Sequence, residues 1–251
     1  TLSPSSAASD VYKRQVLAVD CDSNPNLHMT LGIGKEALAG LTPISEDLDL
    51  VEERTGSRPG SGWGSFFKLT PKVDDIPERC SIRGPDGVRR LVMGSPPRAG
   101  SGCLCPSYAL VKELLRHLIL YERDVVILDM EAGLEHFGRA TARGVDLMLL
   151  ITEPTKRSLE AIRKMALLAR QLGVGEAWVV LNKVRREEEV KWAEEELGDE
   201  APLRAKIPFD PSILEADREG ISPLDLPDSP AVEAIRKLKE EVIAFWHRGR
   251  P

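Results

Sequence analysis

Residues 125–133 read Val-Val-Ile-Leu-Asp-Met-Glu-Ala-Gly, an uninterrupted apolar run that ends in a carboxylate. A strand that is apolar at every position predicts burial on both faces, as in the parallel sheets of α/β proteins. Similar apolar runs occur at residues 16–20, 88–93, 147–152, 177–182 and 203–209. Amphipathic stretches separate most of them, at residues 109–121, 158–173, 186–197 and 230–247. This alternation predicts an α/β fold with a mostly parallel sheet and helices on both faces.

Two further segments carry structural expectations. Gly84-Pro85-Asp86-Gly87 lies between two strand-like runs and predicts a hairpin at one edge of the sheet. Residues 54–79 are rich in Gly, Pro and Ser around three aromatic side chains, which predicts a long surface excursion.

The composition excludes several classes of protein. The 251 residues carry 34 Lys and Arg against 40 Asp and Glu, a formal charge of −6. A mildly acidic chain has no electrostatic reason to bind nucleic acid or an anionic membrane, so neither is expected as a partner. No apolar run reaches the roughly 20 residues that span a bilayer, and no secretory signal is recognisable. We therefore expect a cytoplasmic protein.

Polar side chains follow several of the strand-like runs, at the end where parallel strands usually carry their chemistry. Asp129 is suited to lie beside a phosphate-bound Mg²⁺, although an Asp in this position also commonly caps the next helix. The strand that ends in Asp20 continues to Asp22, a pair of carboxylates that is equally typical of a solvated turn. Two later strands end in Asn182-Lys183 and Pro208-Phe209-Asp210, and either could be no more than a turn.

Four stretches carry a resemblance to a known family. They are Asp-Ser-Asn-Pro-Asn-Leu (22–27), Pro-Lys-Val-Asp-Asp-Ile-Pro (71–77), Gly-Ser-Gly-Cys-Leu-Cys-Pro (100–106) and the run from Asp129 to Asp146. With the later Asn-Lys and Pro-x-Asp, their order resembles the MinD/ParA class of P-loop ATPases with a deviant Walker motif. Within that class the chain is most similar to the maturation factors of carbon monoxide dehydrogenase, which are nickel-insertion ATPases. Glu131 replaces the Pro of the wider class and is usual in this branch.

The resemblance implies a site for ATP and Mg²⁺ and a role for each strand-end residue. Asp22 would lie in a switch segment and position the attacking water, Asp20 would support the magnesium and phosphate end, and Asp129 would hold Mg²⁺ through its water shell. Asn182 would bond the adenine edge, and the turn Pro208-Phe209-Asp210 would close over the base. These roles suit phosphoryl transfer, which depends on positioning and charge neutralisation.

Cys103 and Cys105 form a Cys-x-Cys pair between glycine and proline. In an intracellular protein such a pair is either a metal or redox site or two incidental thiols. Two thiolates cannot complete a four-coordinate site, so a second subunit is the simplest source of two more ligands. The resemblance likewise implies a homodimer that holds Zn²⁺ or Ni²⁺ between four cysteines, with carbon monoxide dehydrogenase as its client. Cys21 and Cys80 have no partner at ligand spacing and are interpreted as packing residues.

Residues 1–15 are rich in Ser and Ala and lack helical or strand periodicity. We expect a non-native or disordered segment at 1–15 and a MinD/ParA-like nucleotide-binding domain at 16–251, truncated at its N-terminus. The P-loop consensus G-x-x-x-x-G-K-[ST] has only a partial match at residues 32–36, where Glu replaces the Mg²⁺-binding hydroxyl. We therefore expect the first strand and the P-loop of the family to be absent and ATP binding to be weak, which leaves open whether the chain is an enzyme.

Other interpretations remain open from the sequence. A MinD/ParA-like positioning or regulatory ATPase would use the same fold, and the apolar side chains of residues 231–247 would suit a membrane-binding helix, although packing on the sheet is the commoner use. A catalytically inactive fragment without the P-loop is a second alternative. An iron–sulfur scaffold is a third, although it usually has a Cys-x-x-Cys spacing that the chain lacks.

Overall fold

The computed structural model describes residues 15–22, 24–60, 66–84, 87–94, 104–121, 125–130, 144–226 and 228–248. The chain divides into two compact units, residues 1–132 and 133–251. Each unit has its own sheet and its own apolar core.

The first unit is built on four strands in the order β2-β3-β1-β4. They are β1 (Val16–Asp20), β2 (Ile82–Arg83), β3 (Arg89–Val92) and β4 (Val125–Asp129). β1 pairs in parallel with β3 and with β4, whereas β2 pairs antiparallel with β3. The predicted hairpin is therefore confirmed at an edge of the sheet, where Gly87 adopts a φ of 76° that favours glycine.

Helices cover the first sheet and supply most of its core. They are α1 (Leu27–Thr30), a 3-10 turn (Lys35–Leu38), α2 (Leu48–Thr55), α3 (Ile76–Cys80) and α4 (Cys105–Tyr121). Along α4, Leu110, Leu114 and Leu118 recur every four residues and pack with Leu17 and Val19 of β1 in one buried cluster. The helical periodicity read from the sequence is thus confirmed in α4.

The expectation of a surface excursion at residues 54–79 is wrong in part. Phe66 is 97 % exposed, as expected. Val73 and Ile76, however, belong to the buried cluster of the first unit. Arg54 is also buried and forms a bidentate pair with Asp75, with both N–O distances at 2.8 Å. This ion pair joins α2 to the start of α3 and closes the segment onto the core.

The second unit contains a parallel sheet in the order β5-β6-β7. Its strands are β5 (Leu147–Thr152), β6 (Glu176–Val184) and β7 (Leu203–Pro208). Its helices are α5 (Lys156–Leu172), α6 (Glu187–Leu197), α7 (Pro211–Glu219) and α8 (Pro230–Arg248), with a 3-10 turn at Pro223–Asp225. All three strands follow runs that the sequence predicts, β5 with the same bounds.

Both faces of β6 are buried because successive side chains point to opposite sides of a strand. Val179 and Leu181 pack with α5 and α6. Trp178 packs on the other face against α8, where its ring lies 5.4 Å from that of Phe245, edge to face. The apolar face of α8 is thus used for packing on the sheet. Among the described residues, no helix is long and apolar enough to cross a membrane.

Two strands lie at the ends of their sheets and carry exposed apolar side chains. Among the described strands, β4 pairs with β1 alone and β5 with β6 alone. Ile127 of β4 is 55 % exposed and Ile151 of β5 is 50 % exposed. No other described strand pairs with the outer backbone groups of these two strands.

Candidate functional site

Asp20 ends β1 inside the first unit, and its carboxylate is fully buried. Its Oδ2 accepts two hydrogen bonds, from Nη2 of Arg90 at 2.7 Å and from the backbone N–H of Leu27 at 3.1 Å. The Arg90 side chain is only 3 % exposed, so the two residues form a buried salt bridge. A buried charge without a partner costs on the order of several kcal/mol. Arg90 therefore supplies the partner that a carboxylate needs at this buried position.

The other oxygen of the same carboxylate is placed differently. Oδ1 of Asp20 is buried and accepts no hydrogen bond from the described residues. A carboxylate oxygen that has lost its water and gained no donor is stabilised by a cation. Asp20 therefore fits a divalent cation such as Mg²⁺.

Asp129 lies beside Asp20, because the two residues are register partners in the pair β1–β4. Partial burial, together with the charges of Asp20 and Asp22, raises the pKa of Asp129 above its usual range. A carboxylate whose charge is disfavoured in this way gains from a bound cation. The described residues contain no group of three metal-ligating side chains. A cation here would thus keep water or phosphate ligands, as Mg²⁺ usually does.

Asp22 lies two residues beyond the end of β1. Its Oδ1 accepts the backbone N–H of Asn24 at 2.8 Å, which closes a tight turn of the kind that Asp favours. The structure therefore brings Asp20 and Asp129 together at the ends of paired strands and places Asp22 in the turn that follows.

Cys21 lies in the same part of the first unit but has a different character. Burial, and to a smaller degree the charges of Asp20 and Asp129, raise its pKa to about 12. Such a thiol stays protonated near neutral pH and is a poor metal ligand. Cys21 and Cys80 pack against the core of the unit, which confirms their interpretation as packing residues.

In the second unit, Asn182 and Lys183 lie near the end of β6, where the pairing with β7 is irregular. Oδ1 of Asn182 accepts the backbone N–H of Lys183 at 2.9 Å. Lys183 has a φ of 59°, a left-handed conformation that is uncommon for residues other than glycine. Its Nζ pairs with Glu153 at 2.6 Å. Strained backbone of this kind is often found at ligand sites.

Asp210 uses its carboxylate to join two helices of the second unit. Oδ1 accepts the backbone N–H of Ser212 at 3.0 Å and caps α7, and Oδ2 accepts the Ser229 hydroxyl at 2.6 Å near the start of α8. Hydrogen bonds from the hydroxyls of Ser229 and Ser212, with smaller contributions from backbone N–H groups, lower the pKa of Asp210 to about 2. Asp210 therefore orders the turn that follows Pro208 through hydrogen bonds within the protein.

The predicted cysteine pair is described only at one of its positions. Cys105 is the first residue of α4 and is exposed. Cys103 lies outside the described residues, as does most of the signature between Asp129 and Asp146.

Arg90 is a residue of this site that no sequence motif predicted. A signal was present, because two consecutive arginines interrupt the apolar run at residues 88–93. Charged side chains in a buried strand need partners, and the structure supplies Asp20 for Arg90 and Glu78, at 2.9 Å, for Arg89.

Comparison with known proteins identifies the family to which the chain belongs. The chain is 42 % identical over 217 residues to the carbon monoxide dehydrogenase accessory protein CooC of Rhodospirillum rubrum, with coverage of 86 % of this chain and 80 % of the relative. The chain belongs to the CooC family. A second relative of this CooC-family chain, an uncharacterised ATP-binding protein of Methanocaldococcus jannaschii, is 42 % identical over 232 residues, which cover 91 % of this chain and 86 % of the relative.

Solved structures show the fold of the CooC-family chain. The cell division ATPase MinD of Pyrococcus furiosus superposes with a TM-score of 0.63 at 22 % identity, with coverage of 93 % of this chain and 87 % of MinD. The predicted MinD/ParA-like α/β fold is therefore confirmed. No family model matches the chain.

The buried salt bridge between Asp20 and Arg90 predicts that replacing one partner costs more stability than replacing both. Arg90→Met should lower the free energy of unfolding by about 3–5 kcal/mol, because it leaves the Asp20 carboxylate buried without its cation. Asp20→Asn combined with Arg90→Met should recover part of this loss. Arg58→Met is the control, since Arg58 forms its ion pairs at the surface. Urea unfolding of the four proteins checks the prediction, and similar losses for Arg90→Met and Arg58→Met would contradict it.

The lowered pKa of Asp210 predicts a pH dependence of stability. Because the folded-state pKa of about 2 lies below the unfolded value of about 3.9, the stabilisation is present above about pH 4 and is lost as the pH falls toward 2. Asp210→Ala should cost about 1 kcal/mol at pH 7 through loss of the helix cap. It should also remove that part of the acid dependence.

Urea unfolding at a series of pH values measures both effects. Asp217→Ala, on the exposed side of α7, is the control. An Asp210→Ala protein with the acid dependence of the wild type would show that Asp210 has no such role.

Proposed function

We propose that this chain is an ATP-dependent metallochaperone that assists nickel insertion into carbon monoxide dehydrogenase. The observation that carries the proposal is the 42 % identity over 217 residues to CooC, a carbon monoxide dehydrogenase accessory protein. The ATP-binding relative of Methanocaldococcus jannaschii supports nucleotide binding. The carboxylates at the ends of β1 and β4 are of the type that a nucleotide-bound Mg²⁺ requires.

The roles at the magnesium and phosphate end of a nucleotide are assigned to the carboxylates at and after the ends of β1 and β4. Asp129 would hold Mg²⁺ through its water shell, and Asp20, whose Oδ1 accepts no hydrogen bond from the described residues, would support the magnesium and phosphate end, with Arg90 fixing its carboxylate. When bound, Mg²⁺ neutralises the charge of the phosphates during phosphoryl transfer. Asp22, oriented by its turn, positions the water that attacks the terminal phosphoryl group.

The roles toward the base are assigned to residues at the ends of β6 and β7. Asn182 directs its side-chain amide toward the adenine edge, and the turn from Pro208 to Asp210 closes over the ring. The hydrogen bonds of Asp210 to Ser212 and Ser229 support this role, because they fix the turn that contains Phe209.

The metal cargo is held by Cys103 and Cys105. A pair of thiolates fills half of a tetrahedral Zn²⁺ or Ni²⁺ site, so the second half comes from the same pair in a homodimer. The exposed position of Cys105 at the start of α4 supports a site that a second subunit reaches. Cys21 and Cys80 pack against the core of the first unit and take no part.

The cysteine pair is tested by metal content. Cys103→Ser together with Cys105→Ser should abolish the binding of one divalent metal per dimer and weaken dimerisation, because metal binding and assembly are coupled. The double variant Cys21→Ser and Cys80→Ser is the matched control and should keep both properties. Metal analysis after anaerobic purification and sedimentation of the dimer provide the readout. Stoichiometric metal in the first double variant would disprove the assignment.

The two carboxylate roles are tested by separating binding from turnover. With an intact N-terminus that supplies the P-loop, Asp22→Ala should bind ATP with Mg²⁺ but hydrolyse it roughly 100- to 10,000-fold more slowly, since it loses a group that positions the water. Asp129→Ala should lose the Mg²⁺ dependence of nucleotide binding as well.

Calorimetry with ATP and a phosphate-release assay check both predictions. Asp199→Ala is the control, because Asp199 is exposed in a turn of the second unit. Wild-type turnover by Asp22→Ala would show that the switch assignment is wrong.

A further inference from the structure

The side chains of Arg185 and Phe209 are stacked. The Cζ atom of Arg185 lies 3.7 Å from the centre of the Phe209 ring. The two residues directly follow β6 and β7, and the backbone N–H of Phe209 donates to the carbonyl of Val184 at 2.8 Å. A guanidinium that is stacked on a ring is held flat, and the Arg185 side chain is otherwise exposed. One broad face of the cation is thus presented at the carboxyl end of the strands.

The neighbouring cations of this edge are already neutralised. Lys183, Arg186 and Lys206 each form a salt bridge with a glutamate, at N–O distances of 2.6, 3.8 and 2.6 Å. Arg185 forms none with the described residues, and only its backbone N–H meets a carboxylate, that of Glu189 at 2.7 Å. Its guanidinium is therefore a planar cation that forms no salt bridge with the described residues, although the Glu189 carboxylate lies close enough to interact with its charge, and it follows the strained backbone at Lys183.

Asn182 lies at the same end of β6 as Arg185. Its side chain limits which ligands could stack on the Arg185 guanidinium. Its Oδ1 is occupied by the backbone N–H of Lys183, so the side-chain NH₂ group remains to donate to an acceptor. A ring with acceptor nitrogens at its edge and a polarisable face matches both groups. Nucleobases have this chemistry, and they stack on the guanidinium planes of arginines in proteins.

We propose that Arg185, held flat by Phe209, is the surface on which the base of a bound nucleotide stacks. The inference rests on the proposed function, because it assigns a recognition residue to the nucleotide site of the second unit. Stacking is tolerant of base identity, since every base has a π face. Arg185 therefore strengthens the binding of ATP and GTP alike and contributes little to the binding of the phosphates.

The test compares nucleotides with a ligand that has no base. Binding of ATP, GTP and inorganic tripolyphosphate, each with Mg²⁺, is measured by calorimetry on the full chain. Arg185→Ala should weaken ATP and GTP by roughly 5- to 150-fold and leave tripolyphosphate unchanged. Arg185→Lys keeps the charge without the plane and should not restore the affinity. Phe209→Leu should give an intermediate loss, because the plane loses its support.

Arg186→Ala is the matched control, since it removes the same charge from the adjacent residue and should change no affinity. Circular dichroism of each variant establishes that the fold is intact. Equal losses for ATP and tripolyphosphate, or rescue by Arg185→Lys, would identify a phosphate contact and overturn the inference. Unchanged ATP binding by Arg185→Ala would overturn it while the proposed function stands. A wild-type chain that binds no ATP would overturn both.

Discussion

The first unit depends on the buried salt bridge between Asp20 and Arg90. β1 has strands on both sides, so its terminal carboxylate lies where water cannot reach it, and a cation from β3 has to meet it. The pair also satisfies the N–H of Leu27 at the start of α1. Because Arg90 and Leu27 bond only Oδ2, the other oxygen accepts no hydrogen bond from the described residues, which would suit a bound cation. The same salt bridge therefore links β3 to β1 and fixes the carboxylate at the end of β1.

In the second unit, hydrogen bonds rather than a salt bridge fix the residues at a strand end. Asp210 caps α7 and holds the start of α8, and α8 in turn covers one face of the sheet around Trp178. The turn after β7 is thereby fixed by the same contacts that fix the helices. Phe209 lies in that turn, where its ring supports the guanidinium of Arg185. Ligand recognition at this edge would thus rely on framework contacts and require little additional ordering.

Much of the framework could be predicted because its signals are local. β1 and β5 have the bounds of the apolar runs, and α4 follows from leucines at helical spacing. The segment at residues 54–79 was misjudged because its apolar residues are scattered among Gly, Pro and charged side chains. Its attachment depends on Arg54 meeting Asp75, a contact between residues that no periodicity connects. Whether this segment is buried therefore depends on contacts between residues that are far apart in the sequence.

The sequence by itself determined the fold class, the family resemblance and the strand-end residues Asp20, Asp129 and Asn182, because these depend on motifs and on the order of short segments. Tertiary structure decided what these residues contact. Arg90 is separated from Asp20 by 70 positions, and the register of β1 with β4 places Asp129 beside the same carboxylate. Arg185 and Phe209 meet only because β6 and β7 end side by side. Long-range pairing of strands brings such groups together, and the pattern of residues along the sequence does not reveal which strands pair.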